Sequence, residues 1–140
     1  MAQDNIQDAI IEEFSMFDDW LDKYDYLISL SESLPAIDPA LRNEKNLIEG
    51  CQSRVWVSSE MRDGKMYYSA DSDAIITKGI VALLVRVMSG RSAEEVATME
   101  LYFIDEIGLG ENLSPTRSNG LRAMVKQMKL AALVLSKTNN

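Results

Sequence analysis

One cysteine, Cys51, stands in the stretch NLIEGCQSRVW, and the 140-residue chain contains no histidine. A single thiol forms no internal disulfide and no multi-cysteine metal site, and without imidazole there is no Cys-His pair. Amide or ester hydrolysis needs proton transfer to a leaving group, which proteins of that kind assign to histidine. Attack of a thiolate on divalent sulfur asks for less, because the departing group is itself a good thiolate. It requires a fraction of ionised sulfur, access and alignment. Arg54, three residues on, and Arg117, if folding brings it near, are the cations that would raise the ionised fraction. An unpaired cysteine is ordinarily a small buried hydrophobe, but Glu49, Gln52, Ser53 and Arg54 are polar company for a residue that only fills space.

The elements around Cys51 follow from periodicity. Ile6, Ala9, Ile10, Phe14 and Phe17 recur at helical spacing, and Trp20, Tyr24, Leu27, Ile28 and Leu34 do so again after Asp18-Asp19. Pro35 and Pro39 impose an irregular segment. Arg54 to Glu60 is β-rich, Asp63-Gly64 is a hairpin turn, and Met66 to Ala70 returns as the second strand. Cys51 therefore falls on a loop at the sheet edge, where reactive groups are commonly carried. Trp56, at an alternating strand position, reads as core.

Ser72 or Asp73 is expected to cap a helix with the body AIITKGIVALLVRVM, apolar on nearly every side and therefore central and buried. Gly79 within it lowers helix propensity, so it is expected to admit a neighbouring backbone. Gly90 ends that helix, Ser92-Ala93-Glu94-Glu95 reads as a capping box, and another short helix falls within Tyr102 to Ile107. Ser114-Pro115 opens the last helix, with Leu121, Met124, Val125, Met128, Ala132 and Leu135 as its apolar stripe. The sum is an α+β fold, a small antiparallel sheet flanked by helices in a single domain over residues 1–140.

Composition limits the function classes. Hydrophobic residues make up 46% and charged residues 26% of the chain, ordinary values for a globular domain. The longest apolar run, Ile80 to Val85, is far short of the roughly 20 residues that cross a bilayer. The polar, acidic start MAQDNIQDA has neither the basic opening nor the apolar run of a secretory signal. A cytoplasmic location, reducing enough for a lone thiol, is the expectation. The net charge of −8 argues against nucleic-acid binding. That charge is uneven: residues 1–40 hold ten acids against Lys23 alone, whereas residues 115–140 hold Arg117, Arg122, Lys126, Lys129 and Lys137 with no acid. Either the two ends attract each other within the fold or one of them docks a partner.

Gly50-Cys51-Gln52-Ser53 with Val55-Trp56, DSDAIITKG from Asp71, LSPTRSNGL from Leu113 and the Leu34-Pro35 pair appear in one order along the chain. Together they resemble the SufE family of sulfur acceptors. The resemblance implies the fold that SufE proteins share with the IscU-type scaffolds of iron–sulfur assembly. It also implies a reaction: Cys51 takes sulfane sulfur as a persulfide from a pyridoxal-phosphate cysteine desulfurase of SufS type, raises that enzyme's turnover, and relays the sulfur to a SufBCD-type iron–sulfur scaffold complex. Pyridoxal phosphate would belong to the partner, with no cofactor or metal on this chain. Glu49, Gly50, Gln52, Ser53, Arg54, Asp73 and Arg117 would position the loop or meet the partner, and the sequence leaves room for a homodimer. Resting Cys51 is expected to tuck against apolar surface and swing out about Gly50. From the residues alone, a thiol redox sensor or a noncatalytic interaction domain is the alternative, disfavoured by the absence of a resolving cysteine.

Overall fold

Two acidic side chains start the first two helices. Asp4 accepts hydrogen bonds from the Ile6 and Gln7 amides at the start of α1 (Asn5–Ser15), and Asp19 accepts one from Asp22 at the start of α2 (Trp20–Leu30). The computed structural model in which these caps are seen describes residues 4–51 and 53–138. The second helix stops earlier than its apolar period suggests, because the chain tightens into a 3-10 turn over Ser31–Ser33 before Pro35. Short 3-10 turns at Pro39–Leu41 and Glu44–Asn46 carry the irregular segment to the sheet.

Strands β1 (Val55–Arg62) and β2 (Lys65–Ser72) pair antiparallel from Val55↔Ser72 to Arg62↔Lys65. Asp63 and Gly64 join them with φ of 52° and 78°, the positive values that a two-residue type I′ turn requires. A third strand, β3 (Arg91–Ser92), is a two-residue addition beside β2, giving the order β1-β2-β3. It is too short to announce itself in the sequence. Val55 and Val57 on β1 and Met66, Tyr68 and Ala70 on β2 turn to one face, which packs against α3 (Ile75–Met88) and α6 (Pro115–Thr138). The Tyr68 hydroxyl donates to the Met128 carbonyl at 2.8 Å and ties β2 to α6. Helices α4 (Ala93–Thr98) and α5 (Tyr102–Glu106) complete the layer, with α4 against α6. The α+β architecture, a small antiparallel sheet flanked by helices, is thus the one the sequence predicts.

Helix α3 is the central element: Ile80, Val81, Leu83, Leu84, Val87 and Met88 are all essentially inaccessible. Gly79 is where α2 crosses it. A Cβ there would lie 2.3 Å from the Leu27 carbonyl oxygen and 3.0 Å from its carbon, so the expected close backbone approach is present. Trp56 is buried, as expected, with the Arg42 guanidinium 4.5 Å from its ring centroid.

Three expectations are corrected. Neither Ser72 nor Asp73 is the N-cap of α3, which is Ala74 with no side-chain cap bond. Asp73 accepts the Arg54 amide instead at 3.0 Å, while Ser72 Oγ donates to the Arg54 carbonyl and accepts the Ala74 amide. The capping box is half formed: Ser92 Oγ accepts the Glu95 amide, but the Glu95 carboxylate turns to Arg91 at 2.8 Å. The acidic front does not meet the basic last helix. Glu13 pairs with Arg86 of α3 at 2.6 Å and Asp4 with Arg91 at 2.7 Å, because α1 packs beside α3 and α5 and away from α6. Burial of Asp4 opposes its charge, yet the bonds from Arg91 and Gln7 outweigh that and hold its carboxyl below the usual range. Among the described residues, Arg117, Arg122, Lys126 and Lys137 form no ion pair. No helix among the described residues is long and apolar enough to cross a membrane.

The Gly79 contact is rigid because its neighbour is backbone rather than a pliable side-chain tip. Gly79→Ala is expected to destabilise the fold by about 2 kcal/mol or more despite alanine's better helix propensity, read as a lowered midpoint in equilibrium chemical denaturation. An unchanged or raised midpoint contradicts the close approach.

Candidate functional site

The segment that carries Cys51 is pinched at its base. On the incoming side the Ile48 amide donates to the Val55 carbonyl at 2.8 Å, and Leu47 forms an isolated bridge with Trp56. On the outgoing side both backbone groups of Arg54 are occupied: its amide donates to Asp73, and its carbonyl accepts from Ser72 Oγ and the Asp73 amide. Residues 49–53 form the loop between these anchors. Asp73 therefore acts on the loop by holding its outgoing end, a role that sequence reasoning mistook for a helix cap.

At the tip, Cys51 is half-buried against the first turns of α6. Its Sγ–H donates weakly to the Gly120 carbonyl at 3.5 Å. A Cβ on Gly120 would lie 3.4 Å from Sγ and 3.8 Å from the cysteine Cβ, ordinary contact distances that place the loop directly on the helix. Gly50 takes φ of +92°, which L side chains rarely adopt, and faces Ala123 one turn farther along α6. Glu49 and Arg54 are exposed, and Ser53 is half-buried. Gln52 lies outside the described residues.

Beside the sulfur is a cavity of about 260 Å³. Cys51 and Ser53 border it from the loop, Thr77 and Ile80 from α3, and Ser114, Thr116, Arg117, Gly120 and Met124 from the start of α6. Ile80 and Met124 are the apolar side; the other walls carry hydroxyls. The resting thiol is thus tucked in, but only partly against apolar surface. Arg117 reaches the site, as sequence reasoning hoped; Arg54 does not border it.

Neither arginine ionises the thiol. Burial alone pushes the Cys51 pKa up from the ordinary cysteine value, so the resting sulfur is held as a neutral thiol. Sequence reasoning missed Thr77 and Gly120, although both lie in quoted motifs: Thr77 is the threonine of DSDAIITKG, and Gly120 is the glycine of LSPTRSNGL. Only tertiary contact with Cys51 distinguishes them. Among the described residues, no group of three or more cysteine, aspartate or glutamate side chains is placed to hold a metal ion.

Comparison with known proteins gives this arrangement a family context. The SufE domain, described as an Fe-S metabolism associated domain, matches residues 8–132. A SufE-like protein of Rhizobium etli is 42% identical over 132 residues, covering 91% of this chain and 89% of that one. A second, from Rhizobium meliloti, is 36% identical over 130 residues, covering 89% of this chain and 93% of its own length. The chloroplastic/mitochondrial SufE-like protein 1 of Arabidopsis thaliana is 40% identical over 114 residues, which is 81% of this chain and 31% of the plant protein. In fold, a Thermus thermophilus protein solved in solution superposes with a TM-score of 0.75 at 23% identity, covering 94% of this chain and 96% of the other.

The thiol's environment is directly measurable. Since folding favours the protonated form, half-maximal alkylation of Cys51 by iodoacetamide is expected at a pH above that of an ordinary cysteine, falling back to the ordinary value in urea. A native midpoint at or below the unfolded one means that a cation governs the sulfur after all.

Proposed function

The chain belongs to the SufE family, a domain associated with iron–sulfur metabolism, and from that premise we propose that it accepts sulfane sulfur on Cys51 from a cysteine desulfurase and passes it to an iron–sulfur scaffold complex. The observation that carries the reading is the half-buried Cys51 at the tip of a short loop pinched at its base, with a cavity beside it. A hydrolase would need a proton-shuttling base here, and the chain has no histidine to supply one. Sulfur transfer needs only the sulfur and its alignment.

The transfer balances without an added oxidant. The Cys51 thiolate attacks the terminal sulfur of the desulfurase's cysteine persulfide; a new S–S bond forms at Cys51, the old S–S bond breaks, and the desulfurase cysteine leaves as thiolate with the electron pair. Cys51 then bears the persulfide, and the pyridoxal phosphate that generated the sulfur stays on the partner. Because the resting thiol is neutral and half-covered, docking has to draw the tip outward before attack. The pinched base confines that movement to residues 49–53, with Gly50 as hinge, and Glu49, Ser53 and Arg54 meet the desulfurase surface. Arg117, which forms no ion pair among the described residues, offers a positive charge beside the loop. Placement in the cytoplasm accords with a reduced thiol.

A redox-sensing role fits less well. Sensor thiols are exposed and readily ionised, whereas burial works against ionisation here, and the chain has no second cysteine to resolve a sulfenic acid.

With a SufS-type desulfurase and cysteine, the intact mass of the protein is expected to rise by one sulfur atom and alanine release to accelerate. Cys51→Ser abolishes both, whereas persistent stimulation by that variant means docking alone does the work. Gly50→Val, whose side chain resists φ near +92°, is expected to slow sulfur uptake by on the order of tenfold while the circular-dichroism spectrum stays native. Uptake at the parent rate removes the hinge.

A further inference from the structure

Thr77 is 94% buried on α3 and borders the Cys51 cavity. Threonine in a helix commonly turns its hydroxyl back onto the carbonyl four residues earlier, as Thr98 does onto Glu94 at 2.9 Å. Thr77 makes no such bond, and its hydroxyl has no hydrogen-bond partner among the described residues. No side-chain oxygen among them is sealed from solvent without a partner, so this hydroxyl keeps some access, and the Cys51 cavity is a space that its residue borders. A hydroxyl on a largely buried residue with no protein partner is left to bond whatever occupies that space. Its persistence beside a nucleophilic sulfur points to an occupant of the cavity.

We propose that the Thr77 hydroxyl donates a hydrogen bond to the terminal sulfur of the Cys51 persulfide and so seats that sulfur in the cavity between the two transfers. The inference rests on the sulfur-acceptor reading of Cys51. A persulfide extends the side chain by one sulfur atom, and the cavity, at several times the roughly 30 Å³ share of one water molecule, has room for it. A persulfide is more acidic than its parent thiol, so the atom to be held is an anion that gains from a fixed donor. The other hydroxyls on the walls serve less well: Ser114 and Thr116 are exposed and Ser53 is half-buried, so water competes for them. Thr77 is the donor that solvent does not reach freely. Of charged groups, Arg117 of α6 borders the cavity, while α3 and the two long strands contribute none to its walls. Arg117 is common to every variant compared below.

The persulfide is made without a desulfurase, by converting Cys51 to a mixed aromatic disulfide and displacing the aryl thiolate with hydrosulfide, which leaves Cys51–S–SH. The rate of its alkylation is followed against pH by intact mass. In Thr77→Val, isosteric but without a donor, the midpoint is expected about one pH unit above the parent's. Thr77→Ala is expected to shift it the same way, and Thr77→Ser to restore the parental value, a pattern that a packing role does not produce. Midpoints in Thr77→Val and Thr77→Ala that coincide with the parent's overturn the proposal. Failure of a desulfurase to load the parent protein overturns the sulfur-acceptor reading instead, and leaves the comparison of midpoints intact as a test of Thr77.

Discussion

Two backbone anchors, the Ile48 amide on the Val55 carbonyl and the Arg54 amide on Asp73, decide what residues 49–53 can do. They sit where β1 begins, so the sheet itself closes the loop. Without them Cys51 would ride on a long irregular connection starting near Pro35, and ordering it would cost backbone entropy at every residue. With them, only the tip has freedom. The last helix then supplies the floor: the loop rests directly on it at Gly120, whose carbonyl receives the thiol. Position and protection of the sulfur thus come from three elements far apart in sequence.

The balance at Cys51 favours protection. A nearby guanidinium stabilises thiolate, and burial destabilises it; Arg117 borders the cavity from an exposed position, where solvent screens its charge, while most of the cysteine is withdrawn from water. Burial wins, and the resting thiol stays protonated. On the proposed sulfur-acceptor reading this is useful, because a thiol that ionised freely in the unbound protein would meet oxidants and electrophiles before it met a partner. On that same reading reactivity is deferred to the docked state, where the proposed loop movement would change the dielectric around one atom.

Much of this was legible in the residues. Asp63-Gly64 announced its turn, and Gly79 within an otherwise apolar helix announced a close backbone approach, since nothing else explains a residue so poor for helices at that place. The cysteine and its loop were equally plain. What escaped notice depends on partners distant in sequence. Asp73 looks like a cap because it precedes a helix, and only the return of Arg54 to its side reveals the competing amide. Thr77 looks like a tolerated polar residue until the cavity appears beside it. The separated charges invited pairing of the two ends, but packing set α1 beside α3, and Arg86 and Arg91 took its acids. Long-range placement overrode each of these local patterns.

The outer margin of β1 has a consequence for self-association. Leu47 already occupies it at Trp56, and at the far end Glu60 and Arg62 pair with each other at 3.3 Å while Arg62 also covers the Tyr67 ring at 4.1 Å. A strand from another molecule that sought to extend the ladder would meet a blocked start and a charged finish. The molecule can therefore present a sulfur-bearing tip right at a sheet margin without that margin seeding fibrils.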